Sequence, residues 1–91
     1  MAKQKVALTF AFYEGENLQK RETVVRDLAV GTDVFGLLLD EGTVQIYRVV
    51  DGRGASAPIV ERTFTAADSI AWISDEELVV LTPTGPEVLR Y

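Results

Sequence analysis

Residues 69–91, SIAWISDEELVVLTPTGPEVLRY, decide how this chain is read. Three short apolar runs, SIAWIS, ELVVLT and EVLRY, are separated by SDEE and PTGP, two segments rich in turn-forming residues. Runs of this length bounded by such punctuation predict three consecutive strands. The same grammar extends backwards. From Lys5, KVALTFAF places Val6, Leu8, Phe10 and Phe12 on one face of a strand, with Ala7, Thr9 and Ala11 on the other. YEGEN forms a turn around Gly15, and LQKRETVVR runs back as the second arm of a hairpin. DLAVG and VFGLLLD, parted by GTD, read as short strands covered on both faces. DEG leads into the β-branched run TVQIYRVV, and the Gly-rich loop DGRGASAP leads into IVERTFT. Ala66, Ala67 and Asp68 are poor strand formers and predict a turn before the final three strands. The reading is all-β, with about nine strands, short connections and no helix.

Composition narrows the function classes. The chain has 91 residues, a single domain near the size at which a core is only just sufficient. With 47% hydrophobic and 25% charged residues it has the balance of a folded protein. Its 9 basic and 14 acidic residues leave a net charge of −5, which repels nucleic-acid phosphates and anionic membranes. No apolar run approaches the roughly 20 residues of a membrane-spanning helix, and the opening MAKQK is polar. These features predict a soluble, cytoplasmic protein. The sequence contains neither histidine nor cysteine, so an imidazole base, a thiolate nucleophile, a disulfide and the usual zinc ligands are all lacking. Ser56, Ser69 and Ser74 have no imidazole to activate them, and Gly52 and Gly54 lack the lysine and helix of a phosphate-binding loop. The expectation is a non-enzymatic protein without cofactor or metal.

The two halves of the chain repeat one plan. Residues from about 5 to 42 and from about 43 to 85 each contain a long strand, a Gly-containing loop, a strand carrying RET or ERT, an apolar strand, an acidic turn, another apolar strand and a glycine. Gly42 aligns with Gly85, Ala29 with Ala71, and Asp33 with Asp75 and Glu76. A third period begins at residues 86–91, where PEVLRY echoes TVQIYR. A period of about 40 residues with four strands predicts antiparallel meander repeats, about two blades of a β-propeller.

Residues from about 18 to 91 resemble degenerate WD40-type blades. DEGTVQIYRV resembles the corner between the third and fourth strands of one blade, and DSIAWISDEELVVLTPTGPEVLRY the second to fourth strands of the next. The Gly-His and Trp-Asp pairs of that family are absent, so its hydrogen-bond network is carried over to no residue here. Two blades do not close a ring, and the apolar flanks of an open pair cost roughly 25 cal/mol for each Å² left in water. The resemblance therefore implies a scaffold that assembles with itself, as a trimer or tetramer, or completes the propeller of a partner protein. One terminal strand is surplus to two four-stranded blades: KVALTFAF and PEVLRY take the same place in the repeat. A different resemblance covers residues 7–33, which look like the opening strands of forkhead-associated β-sandwiches, a family of phosphothreonine readers. That family's Gly-Arg, Ser and His pattern is absent from VGTDVFG. The alternative it implies is a small peptide-binding sandwich.

Candidate site residues come from the turns. If alternate turns of a meander share one end, then YEGEN, GTD, DGRG and SDEE gather Glu14, Glu16, Asp33, Asp51, Asp75, Glu76 and Glu77 on one face, opposed by Arg53 alone. Such a face would dock a basic partner or hold calcium weakly at SDEE, although acidic residues also favour solvated turns in general. Trp72 lies within an apolar strand and is expected in the core rather than as an exposed anchor or a sugar-stacking ring.

Overall fold

The structure, a computed structural model, describes residues 6–14, 16–50, 53–55 and 57–91. It is all-β: β1 (Val6–Glu14), β2 (Asn17–Val30), β3 (Val34–Leu39), β4 (Thr43–Val50), β5 (Arg53–Gly54), β6 (Val60–Thr63), β7 (Ser69–Trp72), β8 (Glu77–Thr82) and β9 (Gly85–Arg90). Two sheets result, one of six strands in the order β3-β2-β1-β5-β4-β6 and one of three in the order β7-β8-β9. All pairings are antiparallel except a single bridge between Phe12 of β1 and Gly54 of β5. Because β3 also pairs with β4, the run β1-β2-β3-β4-β5 closes on itself.

β2 explains much of this shape. LQKRETVVR and DLAVG, expected as separate strands, form one strand of 14 residues with no glycine or proline to interrupt it. Its first part, to Val25, pairs with β1, and its last part, from Val25, pairs with β3. The changeover is marked by a register shift between Val25 and Asp27, a bulge at Arg26 that bends the strand from one partner to the other.

The division of strands between sheets also differs from four-stranded blades. In that plan β6 would open the second blade beside β7. It pairs instead with β4, in the register Thr43↔Thr63, Val44↔Arg62, Gln45↔Glu61, Ile46↔Val60. The cross-strand partners suit one another: the Thr43 and Thr63 hydroxyls lie 3.0 Å apart, and the Gln45 side chain donates to the Glu61 carboxylate. The flank of β7 is occupied from elsewhere. Its Ile70 N–H donates to Asp27 Oδ2 (2.9 Å), and Trp72 Nε1 donates to the Ala29 carbonyl (2.9 Å).

The repeat survives as a unit of three strands. The end of β2 with β3 and β4 corresponds to β7, β8 and β9, and the aligned glycines Gly42 (φ 93°) and Gly85 (φ 120°) both take positive φ at the last turn of each unit. These two triplets stack face to face. Val34, Leu38, Val44 and Ile46 from the first meet Ile70, Leu78, Val80 and Leu89 from the second in the main core. Gly36 makes the stacking close, since a Cβ there would lie 3.0 Å from Leu78 Cδ2. On the opposite face of the first triplet, Leu37 and Tyr47 pack with Val25 under Leu8 of β1, with the Phe35 and Tyr47 rings stacked at 5.2 Å. Tyr47 brings a hydroxyl inside, and Arg21 Nη1 donates to it (3.1 Å) while its own proton goes to Gln45 Oε1 (3.1 Å). The sheets are joined through 64–68, a turn as expected from its composition, where Ala66 takes φ 55°.

Candidate functional site

The acidic turns divide into separate groups. Glu14 and Glu16 flank the β1–β2 turn, whereas Asp33 lies beyond the other end of β2. A single gathered face required a turn between LQKRETVVR and DLAVG. The continuous strand removes that turn and places the two groups at opposite ends of β2. Asp51 lies outside the described residues. The other members do converge: Thr32, beside Asp33, donates through Oγ1 to Asp75 Oδ1 (3.3 Å), joining GTD to SDEE.

SDEE forms the wall of an open hollow of about 410 Å³, lined by Ser74, Asp75, Glu76, Glu77, Arg90 and Tyr91. The chain's own groups pair one of its three acids and occupy its backbone carbonyls. Arg90 Nη2 lies 2.9 Å from Glu77 Oε2, and Ser74 Oγ donates to Glu77 Oε1 (3.1 Å). The Tyr91 hydroxyl donates to the Asp75 carbonyl (2.7 Å), and the Tyr91 N–H to that of Glu76 (3.2 Å). Among the described residues, no three acidic side chains are grouped in a way that could hold a metal ion. The hollow is chiefly a hydrogen-bonded fastening of residues 90–91 onto the turn.

Trp72 is half-buried and packs against the main core, with its ring edge-on to Tyr91 at 5.9 Å. It also spans the two triplets through its bond to Ala29. Trp72→Phe keeps most of the packing and deletes that bond, so unfolding in urea followed by circular dichroism should show a loss of about 1–2 kcal/mol.

Two apolar surfaces were not legible from the turns. The first is the outer face of the C-terminal sheet. In β8, Leu78 and Val80 point into the core, so Val79 and Leu81 point outward, and their ladder partners Ala71, Val88 and Pro86 point the same way. Leu81 and Val88 are 46% and 44% exposed, and Ile73, at the end of β7, is 57% exposed. The Glu77–Arg90 ion pair bounds this face at one end. The adjoining edge of β9 is less inviting. Pro86 removes an N–H from it, and Glu87, the ladder partner of core-facing Val80, puts a charge on the inner side, two devices that discourage strand addition. Contact through the face is therefore favoured over contact through the edge.

The second surface is a groove of about 200 Å³ on the first triplet, walled by Leu8, Leu28, Val30, Phe35 and Val49, all apolar. Val30 is 75% exposed and Leu28 42%. The available sign of both surfaces was a short apolar run without polar alternation: Leu78, Val79, Val80 and Leu81 in one case, and Leu28, Ala29 and Val30 in the other. No helix among the described residues is long and apolar enough to cross a membrane. Comparisons with protein-family models, with curated proteins and with solved structures find no match.

Proposed function

We propose that the protein is a non-enzymatic interaction module that assembles with copies of itself. The observation that carries this reading is the outer face of the C-terminal sheet, where Leu81, Val88 and Ile73 lie exposed beside Ala71, Val79 and Pro86. Charge favours a second copy over a basic partner there. The chain carries −5 overall, but this face holds one acid and one base already paired with each other.

Light scattering over a range of concentrations tests it. The mass should rise in multiples of 10.0 kDa, and a mass of one chain throughout would overturn the reading. Added salt gives the sign of the interaction. Association of equally charged copies through an apolar face should tighten as salt screens their repulsion, whereas docking of a basic partner on SDEE would weaken.

A further inference from the structure

Among the described residues the chain crosses between its two sheets once, at 64–68, and no ladder joins them. Each end of the crossing is tied to its own sheet. The Phe64 N–H donates to the Gly42 carbonyl (3.0 Å), and the Asp68 N–H to the Leu81 carbonyl (2.9 Å). The reversal between these bonds is made at Thr65 and Ala66, both exposed, and Ala66 holds φ 55°. That left-handed conformation is strained for a residue carrying a Cβ.

The surface between the sheets has a mate of known shape. Leu38 and Ile46 on one side pack with Leu78 and Val80 on the other. The Ile70 N–H on Asp27 and the Trp72 indole on Ala29 fix how the sheets sit together. Every copy of the chain carries both halves of this contact. The C-terminal triplet of a second copy offers the same side chains in the same order, so it can occupy the place with the same burial and the same bonds.

We propose that two copies of the chain exchange their C-terminal triplets, each β7-β8-β9 sheet packing on the six-stranded sheet of the other copy while the turn at 65–66 is drawn out straight. The internal contact is replaced rather than repeated. Each triplet leaves its own sheet, so no occupied surface has to accept a second layer. The exchanged pair keeps the packing of the main core and relieves one positive φ in each of its two chains. A short connection under strain is the kind that invites such an exchange. Because the exchange is reciprocal, it closes at two copies. The outer face of the C-terminal sheet takes no part, so this association goes beyond the outer-face reading and does not depend on it.

The chain has no cysteine, so introduced thiols report the exchange. Thr32 and Asp75 are exposed, lie on turns of different sheets and are hydrogen-bonded to each other (3.3 Å). Thr32→Cys combined with Asp75→Cys puts one thiol on each side of the seam, where a short bis-maleimide linker joins them. Held at high concentration in urea near its unfolding midpoint and returned to buffer, this variant should yield a fraction of twice the single-chain mass. After linking, that fraction should run on a denaturing gel as two joined chains, because each thiol of one copy faces a thiol of the other. Ala66→Gly, which accepts φ 55° without strain, should lower the ratio of pairs to single chains by about tenfold, since each pair relieves two turns; Ala66→Val should raise it. Circular dichroism checks that each variant folds, and the Ala66→Gly arm suffices if Ala66→Val does not. A two-chain fraction in which every chain is linked only to itself would overturn the exchange and leave outer-face association standing. A ratio indifferent to residue 66 would overturn the part assigned to the turn. A single chain under every condition would remove both proposals.

Discussion

Gly42→Ala should remove about half of the stability of this domain, whereas Gly85→Ala, at the aligned position of the repeat, should remove far less. Both glycines have positive φ, at 93° and 120°, which costs an L-residue roughly 1–2 kcal/mol. Their surroundings differ. A Cβ on Gly42 would lie 2.3 Å from the Phe64 carbonyl oxygen, while a Cβ on Gly85 meets nothing within 4 Å. Relief at Gly42 requires moving the backbone of 64–68, which breaks the Phe64 N–H bond to the Gly42 carbonyl (3.0 Å). The combined effect is on the order of 4 kcal/mol, against total stabilities of about 5–15 kcal/mol for small domains. Urea unfolding monitored by Trp72 fluorescence should separate the two variants clearly. Equal losses would mean that the Gly42–Phe64 contact does not constrain the fold.

Leu78→Ala should cost about 2–5 kcal/mol, and Gly36→Ala should partly repair it. Leu78 is fully buried between the triplets, and truncation leaves a cavity that the flat sheets cannot collapse to fill. In the unaltered protein Gly36→Ala overpacks the same spot, with its Cβ 3.0 Å from Leu78 Cδ2 and 3.4 Å from Ile70 Cδ1. Those methyls are enclosed and cannot swing aside, so this change should destabilise by about 1–3 kcal/mol. In the double variant the added methyl enters the space the leucine has left. The loss should fall short of the sum of the single losses by about 1 kcal/mol or more in a double-mutant cycle. Additive losses would show that the two positions do not share one space.

What could be read in the sequence was whatever a strand declares locally. The inward row containing Leu8 and Phe12, the turns at GTD, DEG and PTGP, the turn at 65–66 and the alignment of Gly42 with Gly85 all have their cause within a few residues. The parts that escaped have non-local causes. Arg26 and Asp27 look like the start of a new strand because two polar residues interrupt the apolar pattern. In the fold Arg26 Nη1 donates to the Ala67 carbonyl (3.2 Å), and the Asp27 carboxylate accepts from the Leu28 and Ile70 N–H groups, so both are spent on joining the sheets. β5 is only two residues long and is held by β1 and β4. β6 pairs with β4, where threonine and Gln–Glu partners distant in sequence face each other across the ladder. The acidic face failed with the strand count. Once LQKRETVVR and DLAVG join, Glu14 and Glu16 part from Asp33, Asp75, Glu76 and Glu77, while Asp51 lies outside the described residues.

The stacked triplets have a consequence for how the molecule opens. Among the described residues no ladder joins the three-stranded sheet to the six-stranded one. Their seam consists of apolar side chains, a few side-chain hydrogen bonds, including Thr32 to Asp75, and the connection at 64–68. The seam can part without breaking a single rung of either sheet, so what holds it shut is the burial of the main core rather than ladder bonds. β2, by contrast, is bonded to β1 and to β3 along one unbroken strand. The N-terminal hairpin and first triplet therefore open as one unit, distinct from the parting of the seam.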